Sequence, residues 1–381
     1  MRGKSPLLFA VLGALGLIAS ACSSGGGDSK VQGTQAPATT AAPTTTAPPT
    51  TQPEPENVYR YTQANQLAPS VQDIPSRVYV PNGMSNTVDV IDPNTLTIID
   101  SYPVKQLPQH VVPSHDMQRL YVNNNQGNTL TPIDPRTGKP GPDIPIDDPY
   151  NLYFSPDGTK AIVMAERNSE VDFYDPKTWT RIKSLHIPHA GVNHAEFTAD
   201  GKTMVASTEF SGFLVRIDLD TMEITGELAV GGKPVDVKLS PDGTLMYNAN
   251  ETKDGVTVVD WANMREVQFI PTAKGAHGLY PSRDGTKLYV TNRGAGSVTI
   301  IDFATQRVDG HWQFGGSPDM GGVSTDGTQL WLSGRYNSEV YVIDTSTGQL
   351  IKRIPVGDGP HGLALFPQPG RYSMGHTGNY R

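Results

Sequence analysis

Apolar residues recur along this chain in short runs separated by turn-forming residues. From Arg77 onward the runs are rich in Val, Ile, Leu and Tyr, as in Lys287-Leu288-Tyr289-Val290-Thr291-Asn292 and Ser297-Val298-Thr299-Ile300-Ile301. Runs of that length, many with apolar residues at every second position, predict strands packed between neighbouring layers rather than helices.

The runs come in a fixed order. Each unit has a strand A, a turn that is Asp-Gly in five of the seven, a strand B, a strand C ending in a marker Asp, and a strand D. The marker aspartates are Asp92, Asp134, Asp175, Asp218, Asp260, Asp302 and Asp344, spaced by 41 to 43 residues. The turn marker recurs as Ser155-Pro156-Asp157-Gly158, Thr198-Ala199-Asp200-Gly201, Ser240-Pro241-Asp242-Gly243, Ser282-Arg283-Asp284-Gly285 and Ser324-Thr325-Asp326-Gly327. Asp-Gly between apolar runs predicts a tight turn with glycine at positive φ.

A period near 42 with four short strands per unit predicts an all-β fold, a β-propeller of four-stranded blades. Seven A strands begin near His110, Asn151, His194, Asp236, His277, Asp319 and His361, and they number blades 1 to 7. The first B-C-D set, residues 77–104, has no A strand before it. The last A strand, residues 361–366, has no B, C or D after it. A seven-bladed ring is therefore expected, closed by three N-terminal strands and one C-terminal strand, which removes the edges of an open array.

Leu288-Tyr289-Val290-Thr291-Asn292 carries the motif that gives the YVTN β-propeller repeat family its name. Arg77-Val78-Tyr79-Val80-Pro81-Asn82 and Leu120-Tyr121-Val122-Asn123-Asn124 are close copies. The chain resembles that family over residues 77–366. The resemblance implies the propeller fold. It leaves function open, because the family and its relatives include surface-layer and YncE-like proteins, lactonase-like enzymes and subunits of redox enzymes.

Composition adds a compartment. Residues 1–21 read as a signal peptide, with Arg2 and Lys4 ahead of an apolar stretch at 7–18 that is too short to span a membrane. The stretch ends in Ala19-Ser20-Ala21-Cys22, which resembles a bacterial lipobox, with Ala19 where Leu is preferred. The resemblance implies cleavage before Cys22 and lipidation of its thiol and new amino group, palmitate among the acyl chains, which would hold the protein on the extracytoplasmic side of the cell membrane. Cys22 is the single cysteine of the 381 residues, so disulfides, cysteine-ligated metals and C-x-x-C-H haem attachment are excluded. Residues 22–56 form a Gly/Ser and Thr/Pro tether, too polar to bury a core. Residues 57–381 hold the propeller and a tail after Phe366. Lys+Arg 30 against Asp+Glu 38 leaves the surface acidic, so nucleic acid is not an expected partner.

Counting back from each Asp-Gly turn places one face of every A strand towards the central channel. The candidate lining is His110, Asn151, Tyr153, His194, Glu196, Asp236, Lys238 and Tyr280, with the small residues Gly278, Gly322 and Gly362 on blades 5 to 7. At the mouth, His277, Asp319 and His361 come from three successive blades. Two imidazoles and a carboxylate are a ligand set for a divalent transition metal, the one cofactor the sequence suggests. His186, His311 and His376 have no evident partner. No catalytic residue is assigned: there is no nucleophile elbow, phosphate loop or dinucleotide fingerprint.

The expectation is a non-catalytic binding or scaffold propeller at the cell envelope, its partners envelope proteins or a small molecule at the mouth. The alternatives are an extracytoplasmic metal-dependent hydrolase or oxidase, and an accessory subunit of a redox enzyme.

Overall fold

The computed structural model describes residues 57–376 and 378–381. Cys22, the signal peptide and the tether lie outside the described residues. Seven antiparallel sheets form a ring. In blade 5, strand A (Ala276–Pro281) pairs with B (Lys287–Asn292), B with C (Ser297–Asp302) and C with D (Arg307–Gln313). The other blades repeat this order. Blade 1 departs from it at its rim. Its outer strand is broken into Lys139–Pro140 and Ile144–Pro145, because the prolines around Gly141 cannot donate to a ladder.

Closure follows the expected scheme. Ala364–Phe366 pairs antiparallel with Arg77–Asn82, with Val78 opposite Leu365, and completes blade 7.

The turn chemistry explains why the units stay in register. Gly158, Gly201, Gly243, Gly285 and Gly327 lie at φ between +69° and +81°. In each case the serine or threonine three positions before the glycine donates its hydroxyl to the turn aspartate, as Ser155 does to Asp157 at 2.5 Å. Each marker aspartate receives a backbone N–H two or three residues on, as Asp92 Oδ1 does from Asn94.

Among the described residues the apolar core divides into seven clusters, each spanning one junction between adjacent blades. Phe173, Phe197 and Met204 fill the junction of blades 2 and 3. Trp331, Val342 and Leu363 fill that of blades 6 and 7. A flat blade has two apolar faces, so each must be sandwiched, and only a closed ring covers all of them.

Two segments outside the repeat cover one face of the ring, where the A strands end. Residues 57–76 run across it: Tyr59 donates its hydroxyl to Leu239 O at 2.6 Å, and Asn65 N donates to Thr325 O. The tail, from Pro367 on, returns beside them. Leu67 bridges Gly370, and Arg371 lies over the Tyr61 ring at 3.9 Å. The tail then dips into the channel. Phe154 N donates to Met374 O, and His376 N donates to Leu152 O.

Candidate functional site

The site is made by a defect repeated around the ring. Near the start of strand A the ladder to strand B slips in six blades, between Pro108 and Val111, opposite Tyr150, and at Val192/His194, Pro234/Val237, Ala276/Leu279 and Pro318/Gly321. A bulge releases one or two residues from the ladder and re-aims their side chains. The released residues are Gln109 and His110, Tyr150, Asn193, Val235 and Asp236, His277 and Gly278, Asp319 and Met320, and they include His110, Asp236, His277, Gly278 and Asp319 from the expected lining and mouth. In blade 7, His361 and Gly362 precede the paired strand. Gly362 instead bonds to the adjacent blade 1, where Val111 N donates to Gly362 O at 2.9 Å.

Five histidines gather here: His110 and His277 from the bulges, His194 and His361 beside them on the inner strands, and His376 from the tail. His110 lies 4.8 Å from His361 between ring centroids, 5.1 Å from His376 and 5.6 Å from His194. His194 lies 5.0 Å from His376 and 6.3 Å from His277. All five are buried. They differ in what they bond to.

His277, Asp319 and His361 do come together. His361 Nδ1 donates to Asp319 Oδ2 at 2.8 Å, and His277 Nδ1 lies 2.9 Å from Asp319 Oδ1. Arg293 Nη1 adds a contact to Oδ1 at 3.3 Å and its other nitrogen holds Glu251. Both carboxylate oxygens are thus already taken by protein groups. Burial opposes the charge on Asp319, but His277, Arg293 and His361 outweigh it and hold the carboxyl well below its usual range. His361 is pushed down to about 3, chiefly by burial and then by Arg335, so it is a neutral imidazole. With Nδ1–H on Asp319, its Nε2 accepts from the Tyr150 hydroxyl at 3.2 Å.

His110, His194 and His376 form a second group. One ligand atom from each lies within 4.8 Å of the others. Neither ring nitrogen of His110 has a hydrogen-bond partner, nor has His194 Nε2. His194 Nδ1 is held 2.9 Å from Asn193 Oδ1. His376 stands between Asn151 Nδ2, 2.9 Å from its Nδ1, and Asp236 Oδ1, 3.5 Å from its Nε2. Burial lowers all three imidazoles, His110 and His194 well below the ordinary value. Asp236 is kept ionised: burial opposes it, and Lys238 and His376 outweigh burial.

The remaining lining residues serve the tail and the neighbouring blades. Glu196 binds Arg381 at 3.2 Å, and Lys238 donates to Asn379 Oδ1. Tyr153 and Tyr280 bridge to the next blade, accepting from Ala195 N at 2.8 Å and Gly321 N at 2.6 Å. The room expected beside Gly278 and Gly362 is taken up by the Tyr280 hydroxyl and the His110 ring. A cavity of about 30 Å³ remains near Gly322, walled by Tyr280, Leu363, Gly378 and Tyr380. His376 is the residue sequence reasoning missed: it lies beyond the repeat, in a Gly-His-Thr-Gly stretch with no periodicity.

Above the histidines, on the face opposite the tail, sits a charged rim. Asn193 Nδ2 donates to Glu166 at 3.1 Å and Glu209 at 2.7 Å, and Arg335 holds Gln109 at 3.2 Å. Burial, despite the Asn193 bond, lifts Glu166 to about 8.

A closed ring of seven four-stranded blades around a buried, histidine-rich channel defines a β-propeller whose distinctive chemistry lies on its innermost strands. The chain belongs to the YncE-like β-propeller family, whose profile matches residues 59–369. A comparison with curated proteins finds no match. Among solved structures the chain is similar to hydrazine synthase from Kuenenia stuttgartiensis, at 21% identity over 66% of this chain and 87% of that one, TM-score 0.59. It is also similar to a functionally unknown protein from Desulfotomaculum acetoxidans, at 17% identity over 76% and 98%, TM-score 0.66. A third is the dihydro-heme d1 dehydrogenase NirN in complex with DHE, at 15% identity over 84% and 83%, TM-score 0.59. At these identities the likeness is one of fold.

Proposed function

We propose that this protein is a lipid-anchored, extracytoplasmic binding propeller that takes a small ligand into its channel from the charged rim. The observation that carries the reading is the set of unpartnered nitrogens on His110 and His194. A buried polar atom without a partner costs on the order of 1–3 kcal/mol. Three such atoms on two neighbouring imidazoles are accounted for by a ligand that completes them. The anchor rests on the signal segment, the small residues before Cys22 and the tether.

Native mass spectrometry of the full chain, purified from the envelope of its host, tests the reading. The expected spectrum shows a bound species beyond the lipidated polypeptide, absent from a His110→Ala, His194→Ala variant. A wild-type mass equal to the lipidated polypeptide alone would overturn it.

One observation favours a catalytic reading instead. Glu166, at the rim beside Asn193, is raised into the range where it exchanges protons near neutral pH. Turnover lost in Glu166→Gln with ligand binding intact would support that reading over simple binding.

A further inference from the structure

We propose that His110, His194 and His376 bind a late first-row transition-metal ion, copper or zinc, at the centre of the channel. The inference rests on the channel-binding reading and names its ligand. It places the metal on a different set from His277, Asp319 and His361.

The donor set comes first. Three imidazoles without a thiolate or carboxylate suit zinc and copper and select against calcium, magnesium and manganese, which prefer oxygen. A metal–nitrogen bond of about 2.0–2.1 Å sets three ligating nitrogens roughly 3.4 Å apart. The donor atoms here lie within 4.8 Å of one another, so ring movements of about an ångström close the site.

The supporting groups have the form expected around a metal. Ligating histidines are oriented by a second partner on the other ring nitrogen. Asn193 Oδ1 accepts from His194 Nδ1, which fixes the tautomer and leaves Nε2 as the donor atom. Asp236, itself held by the backbone N–H of Val237 and of Leu279, lies beside His376 Nε2. His376 Nδ1 stands 2.9 Å from Asn151 Nδ2, so ligation there replaces that amide while Asp236 stays beside Nε2. His361 and His277 are both bonded to Asp319, and drawing either onto a metal would unpair that buried carboxylate, so both stand in the outer shell, where Asp319 offsets part of the metal's charge. Unlike the rim charges, the three proposed ligands are fully buried, so a bound ion would be shielded from exchange with solvent.

The full chain, purified in detergent, stripped with chelator and titrated separately with Cu²⁺ and Zn²⁺, tests the proposal. One equivalent of either metal should survive desalting and raise the melting temperature. Copper should show nitrogen superhyperfine splitting in its EPR spectrum. His376→Ala lies on the tail, outside the blade cores, and should weaken binding by 100-fold or more with the propeller folded. His110→Phe, which keeps a ring in place, should do the same. His277→Ala and His361→Ala should retain one equivalent with a loss under tenfold. Full binding in the His376→Ala and His110→Phe variants, or loss confined to the His277 and His361 variants, would overturn the assignment. A stripped protein that takes up no metal, while native mass spectrometry shows an organic species lost with His110 and His194, would overturn the metal and leave the channel-binding reading standing.

Discussion

Gly362 of blade 7 faces the imidazole of His110 in blade 1 so closely that a β-carbon at position 362 would collide with Nδ1. The two residues also form a backbone bridge, and Gly362 N donates to Gln109 O at 2.8 Å. The innermost contact that closes the ring is thus the one that seats a histidine of the site.

Gly362→Ala should lower stability by about 1–3 kcal/mol, the usual range for overpacking a tight core. Its backbone does not require φ > 0, so the whole effect should come from the ring it displaces. In a His110→Ala background the same change should cost far less. Thermal or denaturant unfolding of the four proteins gives the coupling directly. Additive effects would refute a steric origin.

A chain ending before His361 should fail to give a cooperative thermal transition. It would leave the inner edge of Arg77–Asn82 unpaired and the junction of blades 6 and 7 without Leu363 and Leu365. A chain ending after Gln368 keeps that strand and should still melt cooperatively, at a lower temperature. It loses the Arg381–Glu196 and Lys238–Asn379 contacts and exposes both buried side chains.

Acidification should destabilise the metal-free protein. His110, His194, His361 and His376 all have folded values below the unfolded imidazole value of about 6.5, chiefly through burial. The unfolded chain therefore binds more protons in this window, and stability rises with pH. Each group's contribution is complete above about pH 6.5 and is lost as pH falls towards its folded value, about 3 for His361. Glu166 acts oppositely: raised to about 8, its contribution is complete at low pH and is lost as pH rises towards that value. Four groups outweigh one, so the melting temperature should fall between pH 6.5 and pH 5. A His110→Phe, His194→Phe variant should show a shallower dependence, and equal slopes would count against burial as the cause.

Cys22→Ala should move the protein from the membrane to the soluble fraction of an expressing bacterium. Fractionation and immunoblotting check this, and an unchanged membrane fraction would dispose of the lipid anchor.

The ring was legible in the sequence because it is written seven times. Asp-Gly turns and marker aspartates fix each strand's place, and the count of A strands against B-C-D sets gives the closure. The site was half legible. Counting from the turns placed His110, His194, His277, Asp319 and His361 on the inner strands. Strict alternation then assigned His110 and His277 to different levels, whereas the bulges turn both into one cluster. Nothing periodic marks His376, since the tail belongs to no repeat and its position is set by contacts with Leu152, Asn151 and Asp236. The same tail supplies what the repeat could not show for Glu196 and Lys238: their partners, Arg381 and Asn379, lie outside the pattern that located them.

The late position of His361 and His376 in the chain gives the site a place in time. In chain order the three strands of residues 77–104 come first, and the partner of their inner edge comes six blades later. The ring closes only when residues 364–366 arrive, and His376 reaches the channel later still. Until then His110 and His194 sit in an unfinished channel. A metal met before the tail docks finds two of its three proposed ligands, and one met afterwards finds all three. Loading of the channel would therefore follow completion of the fold, not accompany it.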